Sequence, residues 1–251
     1  MTKLLEGKVA LITGSGRGMG LTDALLMAAE GAAIVIQDID GDLAADGTEQ
    51  IRAAGGEVFT IVSDVTDVKA TQAKFAEAEE HFGRIDILVN NAGIGGGGFL
   101  EETSEADFQR TFDVHVKGSF FATQAVIPGM KARGSGAIVN IASIWGMTGH
   151  HLDSPYCGAK AALLGLTKAW AKEFAPHNIR VNAVAPGCVL TDMTITKGQD
   201  YIDDRAKLIP MGRWAQPEEM CHAVVFLASD QASFITGQCI SPNGGDTIVG
   251  I

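Results

Sequence analysis

The chain has little of what marks secreted, membrane-bound or nucleic-acid-binding proteins. Its four cysteines, Cys157, Cys188, Cys221 and Cys239, are scattered, with no C-x-x-C pair and no histidine at ligand spacing. That pattern argues against structural zinc and a disulfide framework and points to a reduced, cytoplasmic protein. No window approaches the roughly 18 apolar residues of a membrane span. The opening MTKLLEGKVALITG runs from a short apolar stretch straight into glycine, without the cleavage pattern of a secretory leader. Basic residues are scarce: 19 Lys and Arg stand against 30 Asp and Glu, for a formal net charge of −11. A surface of that sign does not capture nucleic acid or anionic lipid, so neither is expected as a partner. Linkers, repeats and low-complexity tracts are also missing, so residues 1–251 read as a single domain.

What is present is an alternation. Short β-branched runs lie at 8–13, 33–38, 58–64, 85–91, 136–143, 179–186 and 238–244. Between them come amphipathic stretches such as 41–54, 67–82 and 104–132. Continuously apolar strands separated by helices predict an α/β fold, a doubly wound sheet of about seven parallel strands with helices on both faces. In such sheets ligands bind beyond the carboxyl ends of the strands. The glycine run 95–98 reads as a loop there, and the polar, irregular segment 191–210 as a lid for the substrate.

The first strand ends in TGSGRGMG, with Gly14, Gly16, Gly18 and Gly20 around Arg17 and Met19. Between a strand and a helix, such a loop turns sharply, lets backbone approach a ligand and aims helix amides at a phosphate. This is the signature of a Rossmann-like dinucleotide site. The second strand ends at Asp38, where a carboxylate accepts hydrogen bonds from an adenosine ribose. Asp38 would repel the 2′-phosphate of NADP, and Ile39 beside it offers that phosphate nothing. NAD is therefore the expected cofactor. Arg17 is the contrary sign, since it could pair with such a phosphate, with Asp38, or with solvent.

SPYCGAKAALLG, residues 154–165, holds Tyr156 four positions before Lys160 among small residues. On a helix the two share one face, so phenol and ammonium converge. A free tyrosine, with a pKa of about 10, is a poor base, and a nearby cation stabilises its phenolate.

Taken in order, these residues resemble the short-chain dehydrogenase/reductase family over nearly the whole chain. Its glycine motif matches Thr13, Gly14, Gly18 and Gly20, and its adenine-contacting pair matches Asp64 and Val65. Its N-N-A-G turn matches Asn90, Asn91, Ala92 and Gly93, and its P-G-x-x-x-T matches Pro186, Gly187 and Thr191. The catalytic serine matches Ser143, and Y-x-x-x-K is Tyr156 with Lys160. The resemblance implies that Asn91, Ala92 and Gly93 pass the cofactor ribose, and that Thr191 and the Val189 backbone meet the nicotinamide carboxamide. It also implies a homotetramer built on the helices 104–132 and 155–175. One position departs: the family usually carries an Asn whose backbone contact helps hold a water between the lysine and solvent, and here stands His115, which could preserve that contact, join a proton relay directly, or only pack. Gly95, Trp145, His150, His151 and Met193 are candidates for lining the substrate pocket.

The resulting expectation is an NAD-dependent oxidoreductase that moves a hydride between the cofactor and a secondary alcohol or ketone. Tyr156 serves as general acid and base, Ser143 orients the substrate oxygen, and no metal takes part. Two alternatives stay open: an NADPH-dependent 3-oxoacyl reductase and a non-enzymatic dinucleotide-binding protein on the same fold.

Overall fold

The computed structural model describes residues 3–249, apart from the side chain of Met193. One sheet of seven parallel strands runs in the order β3-β2-β1-β4-β5-β6-β7. The strands are β1 (Val9–Thr13), β2 (Ala33–Asp38), β3 (Val58–Val62), β4 (Ile87–Asn90), β5 (Gly136–Ile141), β6 (Ile179–Val184) and β7 (Cys239–Ile240). Each falls within a run expected from sequence. The helices are α1 (Gly18–Ala29), α2 (Gly41–Ala53), α3 (Val68–Phe82), α4 (Glu105–Phe112), α5 (Gly118–Arg133), α6 (Trp145–Thr148), α7 (Ser154–Phe174), α8 (Asp192–Ile195), α9 (Gln199–Ala206) and α10 (Pro217–Ala228).

The strands are apolar along their length because both faces are covered. Alternate residues of β1 point to opposite sides. Ala10 and Ile12 enter a core with Met27 of α1 and Val224 and Leu227 of α10. Val9 and Leu11 enter a second core with Phe75 of α3 and Trp170 and Phe174 of α7. Each of the valines, leucines, isoleucines, methionines and phenylalanines among them contributes about 1.5–3 kcal/mol on burial. Polar groups also hold the layers together. The Asn90 amide donates to Asn140 (2.8 Å) and Thr123 (3.1 Å), and the Asn140 amide donates to Thr167 (2.8 Å). This buried network joins β4 and β5 to α5 and α7. It fixes α7 against the sheet edge from which the catalytic groups project.

Strand order reverses between β1 and β4, where a crevice must open. Two connections there differ from the sequence reading. The helix expected over 104–132 is interrupted by a π turn, Asp113–Lys117, between α4 and α5. The extra residue in the wider turn carries His115 inward, to 1% exposure. The segment 191–210 is not irregular throughout but contains α8 and α9, four and eight residues long. Helices this short show no usable periodicity in sequence.

The glycine loop is locked by close approach. Gly14 has φ +61°, and a Cβ there would sit 2.8 Å from the Ala92 Cα. The loop is gripped by the turn after β4: the Asn91 amide donates to the carbonyls of Thr13 and Gly14, each at 2.9 Å. The Thr13 hydroxyl accepts from the backbone N–H groups of Asn91 (3.1 Å) and Ala92 (3.0 Å). Gly14→Ala must therefore meet both backbone strain and overlap, a cost of about 2–4 kcal/mol. Thermal unfolding of that variant is expected at a Tm lower by on the order of 5–15 °C; an unchanged Tm would show that the loop relaxes freely.

Candidate active site

Beyond the carboxyl ends of β1, β4, β5 and β6 lies a cavity of about 820 Å³. Every residue expected to touch the cofactor lines it: Gly14, Arg17, Gly18, Met19, Gly20, Asp38, Ile39, Asp64, Val65, Asn91, Ala92, Gly93, Pro186, Gly187, Val189 and Thr191. Ser143, Tyr156, Lys160 and His115 line it too, as do Gly95 and Trp145. His150 and His151 are not among its lining residues. His150 instead stacks on Trp145, with ring centroids 3.9 Å apart, and His151 is exposed. The Met193 side chain lies outside the described residues.

The chain's own geometry fits a dinucleotide. Arg17 precedes α1 without a side-chain cap, so the first amides of that helix are open to an anion. A Cβ at Gly20 would collide with the Asn91 amide and the Gly14 carbonyl, which is how close the helix start lies to the loop. Asp38 is 8% exposed at the end of β2, and its carboxylate accepts from the N–H groups of Gly16 (2.8 Å) and Asp40 (3.1 Å). Arg17 is exposed and forms no ion pair among the described residues, so it does not bridge to Asp38.

The catalytic candidates meet at the ends of β5 and α7. Ser143 accepts from the Trp145 N–H (3.2 Å), and its hydroxyl is placed to favour the ionised Tyr156 phenol. The Lys160 ammonium, 4% exposed, donates to the Ile141 carbonyl at 2.6 Å and stands 5.5 Å from the centre of the Tyr156 ring. A Cβ at Gly146 would meet the Lys160 Cβ at 2.8 Å, so the glycine lets α6 pack onto α7 at the lysine.

Burial dominates the electrostatics. It pulls the Lys160 ammonium down to about 7. It pushes the Tyr156 phenol up to about 12, with the Ser143 hydroxyl opposing the rise and Asp153 adding to it. In the chain by itself, desolvation of the phenolate dominates at Tyr156 and raises its pKa rather than lowering it.

His115 is 1% exposed, and burial with the Lys160 charge holds it down to about 3. It therefore stays neutral across the neutral range. Its Nε2 lies 3.0 Å from the Ile94 carbonyl and 3.2 Å from the Ile94 N–H, and its Nδ1 has no hydrogen-bond partner among the described residues. Its ring stands edge-on to Tyr156, 5.3 Å between centroids, and a Cβ at Gly93 would strike its Cε1 at 2.6 Å.

Sequence reasoning passed over Asp153, which caps α7 by accepting from the Tyr156 N–H (3.4 Å) and lines the cavity. The legible signal was an aspartate directly before a helix start. It also passed over Gln37, whose side chain accepts from the Gly14 N–H at 3.2 Å. Nothing local in the sequence marks that contact.

Comparison with known proteins agrees with this geometry. The family model described as Enoyl-(Acyl carrier protein) reductase matches residues 14–247. The 3-oxoacyl-(acyl-carrier-protein) reductase FabG of Thermotoga maritima is 41% identical over 241 residues, covering 96% of this chain and 98% of its own. The trans-4-hydroxycyclohexanecarboxylate dehydrogenase of Sinomonas cyclohexanicum is 41% identical over 246 residues, covering 96% and 93%. A solved short-chain dehydrogenase/reductase of Serratia marcescens, a double mutant, superposes with a TM-score of 0.92 at 36% identity, covering 98% of this chain and 100% of its own. Likeness that runs the full length of both chains, in sequence and in fold, places the protein in the short-chain dehydrogenase/reductase family, oxidoreductases that bind a nicotinamide dinucleotide and act on CH–OH or keto groups.

Proposed function

We propose that the protein is an NAD-preferring dehydrogenase that interconverts a secondary alcohol and its ketone. The observation that carries the cofactor preference is Asp38, a carboxylate at the end of β2 that lines the cavity. It accepts hydrogen bonds from ribose hydroxyls and repels a 2′-phosphate. The observation that carries the chemistry is the buried meeting of Ser143, Tyr156 and Lys160. Bound NAD supplies the hydride acceptor and a positive pyridinium.

The chain's residues do the rest. Gly14, the start of α1 and Asp38 hold the dinucleotide, with Asp64 and Val65 at the adenine and Asn91 to Gly93 along the ribose. Pro186, Gly187, Val189 and Thr191 flank the nicotinamide. Ser143 donates a hydrogen bond to the substrate oxygen and sets its position. In oxidation Tyr156 takes the hydroxyl proton as the carbon loses its hydride; in reduction it returns that proton to the carbonyl oxygen. Lys160 stands behind the phenol as its cation. His115, neutral, holds Ile94 and so keeps the loop after β4 in place. Exposed Phe108 and Phe120, 46% and 39% exposed, support assembly into a homotetramer through α4, α5 and α7.

The relatives point to two substrate classes. The 3-oxoacyl reductase reading has a 41% identical relative in its favour and Asp38 against it. The 4-hydroxycyclohexanecarboxylate dehydrogenase, equally similar, supports a ring-borne secondary alcohol. We favour the second.

Three outcomes test this reading. Tyr156→Phe is expected to lower kcat by about 10³-fold or more while NAD still binds, as read by fluorescence titration; an equal loss of NAD affinity would reassign Tyr156 to cofactor binding. Asp38→Ala is expected to cut the ratio of kcat/KM with NAD to that with NADP by about tenfold or more. A ratio that holds would put ribose recognition elsewhere. Because the phenol lies at about 12 and must ionise to take a proton, alcohol oxidation should rise with pH from neutral towards alkaline. Ketone reduction starts from the protonated phenol and should not rise. A stopped-flow pH series in both directions checks the sign.

A further inference from the structure

The cavity that holds Tyr156 is also lined by two opposite charges, Asp153 and Lys197, that form no ion pair with each other. Asp153 is 7% exposed and directly precedes α7. A Cβ at Gly96 would lie 3.3 and 3.4 Å from its two carboxylate oxygens, so glycine is what leaves room for this acid in the cavity wall. Among the described residues only one of those oxygens has a hydrogen-bond partner, the Tyr156 N–H at 3.4 Å.

Lys197, between α8 and α9, lines the same cavity. Its ammonium lies 5.2 Å from the centre of the Tyr201 ring. Among the described residues no carboxylate is within the 4.0 Å of an ion pair with it. Arg205, the next cation along, is already neutralised by Asp246 at 2.6 Å. That pair, with the Trp214 indole donating to the Ile202 carbonyl at 3.0 Å, ties α9 to the body and so tethers the segment bearing Lys197.

The two charges enter the cavity from different elements. The Asp153 carboxylate is held at the first turn of α7 by the Tyr156 N–H, whereas Lys197 reaches the cavity from the segment between α8 and α9. On a chain of net charge −11, an ammonium at the cavity wall without an ion-pair partner among the described residues is a local partner for an anion.

We propose that the substrate is a hydroxy acid or keto acid whose carboxylate is remote from the reacting carbon, with Lys197 binding that carboxylate and Asp153 excluding it from the Tyr156 end. This rests on the reading of the cavity as a secondary-alcohol site. An acid whose carboxylate adjoins the carbinol is turned away, because seating the carbinol on Tyr156 would bring the carboxylate against Asp153.

The test uses the full-length enzyme with NAD and three alcohols: cyclohexanol, 4-hydroxycyclohexanecarboxylate and 2-hydroxycyclohexanecarboxylate. The 4-acid is expected to exceed cyclohexanol in kcat/KM by about tenfold or more, through KM, and the 2-acid to fall below it. Added salt should shrink the advantage of the 4-acid, since Lys197 is exposed. Lys197→Gln should bring the ratio of 4-acid to cyclohexanol, measured within that variant, close to one, and Lys197→Arg should retain it. Asp153→Asn should raise the 2-acid relative to cyclohexanol. Turnover of all three alcohols without discrimination by charge, or a ratio that Lys197→Gln leaves in place, overturns this inference and leaves the dehydrogenase reading standing. No NADH from any member of the series overturns both.

Discussion

A lysine ammonium kept in the protein interior by a single backbone carbonyl is the constraint on which the site depends. Lys160 donates to the Ile141 carbonyl at the end of β5, and burial weakens its hold on its proton. Such a group is tolerated only where the surroundings over-determine its position. The Asn90, Asn140 and Thr167 network pins α7 to the strands, and Gly146 lets α6 close over it. Tyr156 follows from the same helix, one turn earlier, and Ser143 from the same strand end. The catalytic groups are thus set by rigid elements, and only the substrate side is left to loops.

The cofactor side obeys a related economy of contacts. The Asp38 carboxylate anchors the glycine loop through the Gly16 N–H, and Asn91 anchors it from the other side. The residues that would recognise a dinucleotide are also those that shape its cradle. Recognition and loop geometry are therefore not independent, and a change at Asp38 acts on both.

The substitution at position 115 shows how a family site absorbs a different residue. A π turn swings the imidazole inward until its Nε2 reaches the Ile94 backbone, and Gly93 clears the space for the ring. Burial beside Lys160 then removes the titration that a histidine near neutral pH would ordinarily have. What the residue keeps is a hydrogen bond to the backbone of the loop after β4.

The sequence by itself determined the parallel sheet, the glycine loop, the end of β2 at Asp38 and the meeting of Tyr156 with Lys160. These depend on short-range rules: apolar runs that must be covered on both faces, helix faces repeating every turn, and glycine where backbone must pass close. Only the tertiary structure decided the protonation tendencies and the substrate wall. The high pKa of Tyr156 and the neutrality of His115 come from desolvation, a sum over every element packed around them. His150 lies behind Trp145 rather than in the cavity, while Asp153 lines it, because loop direction is set by packing across the chain and leaves no periodic mark in the sequence.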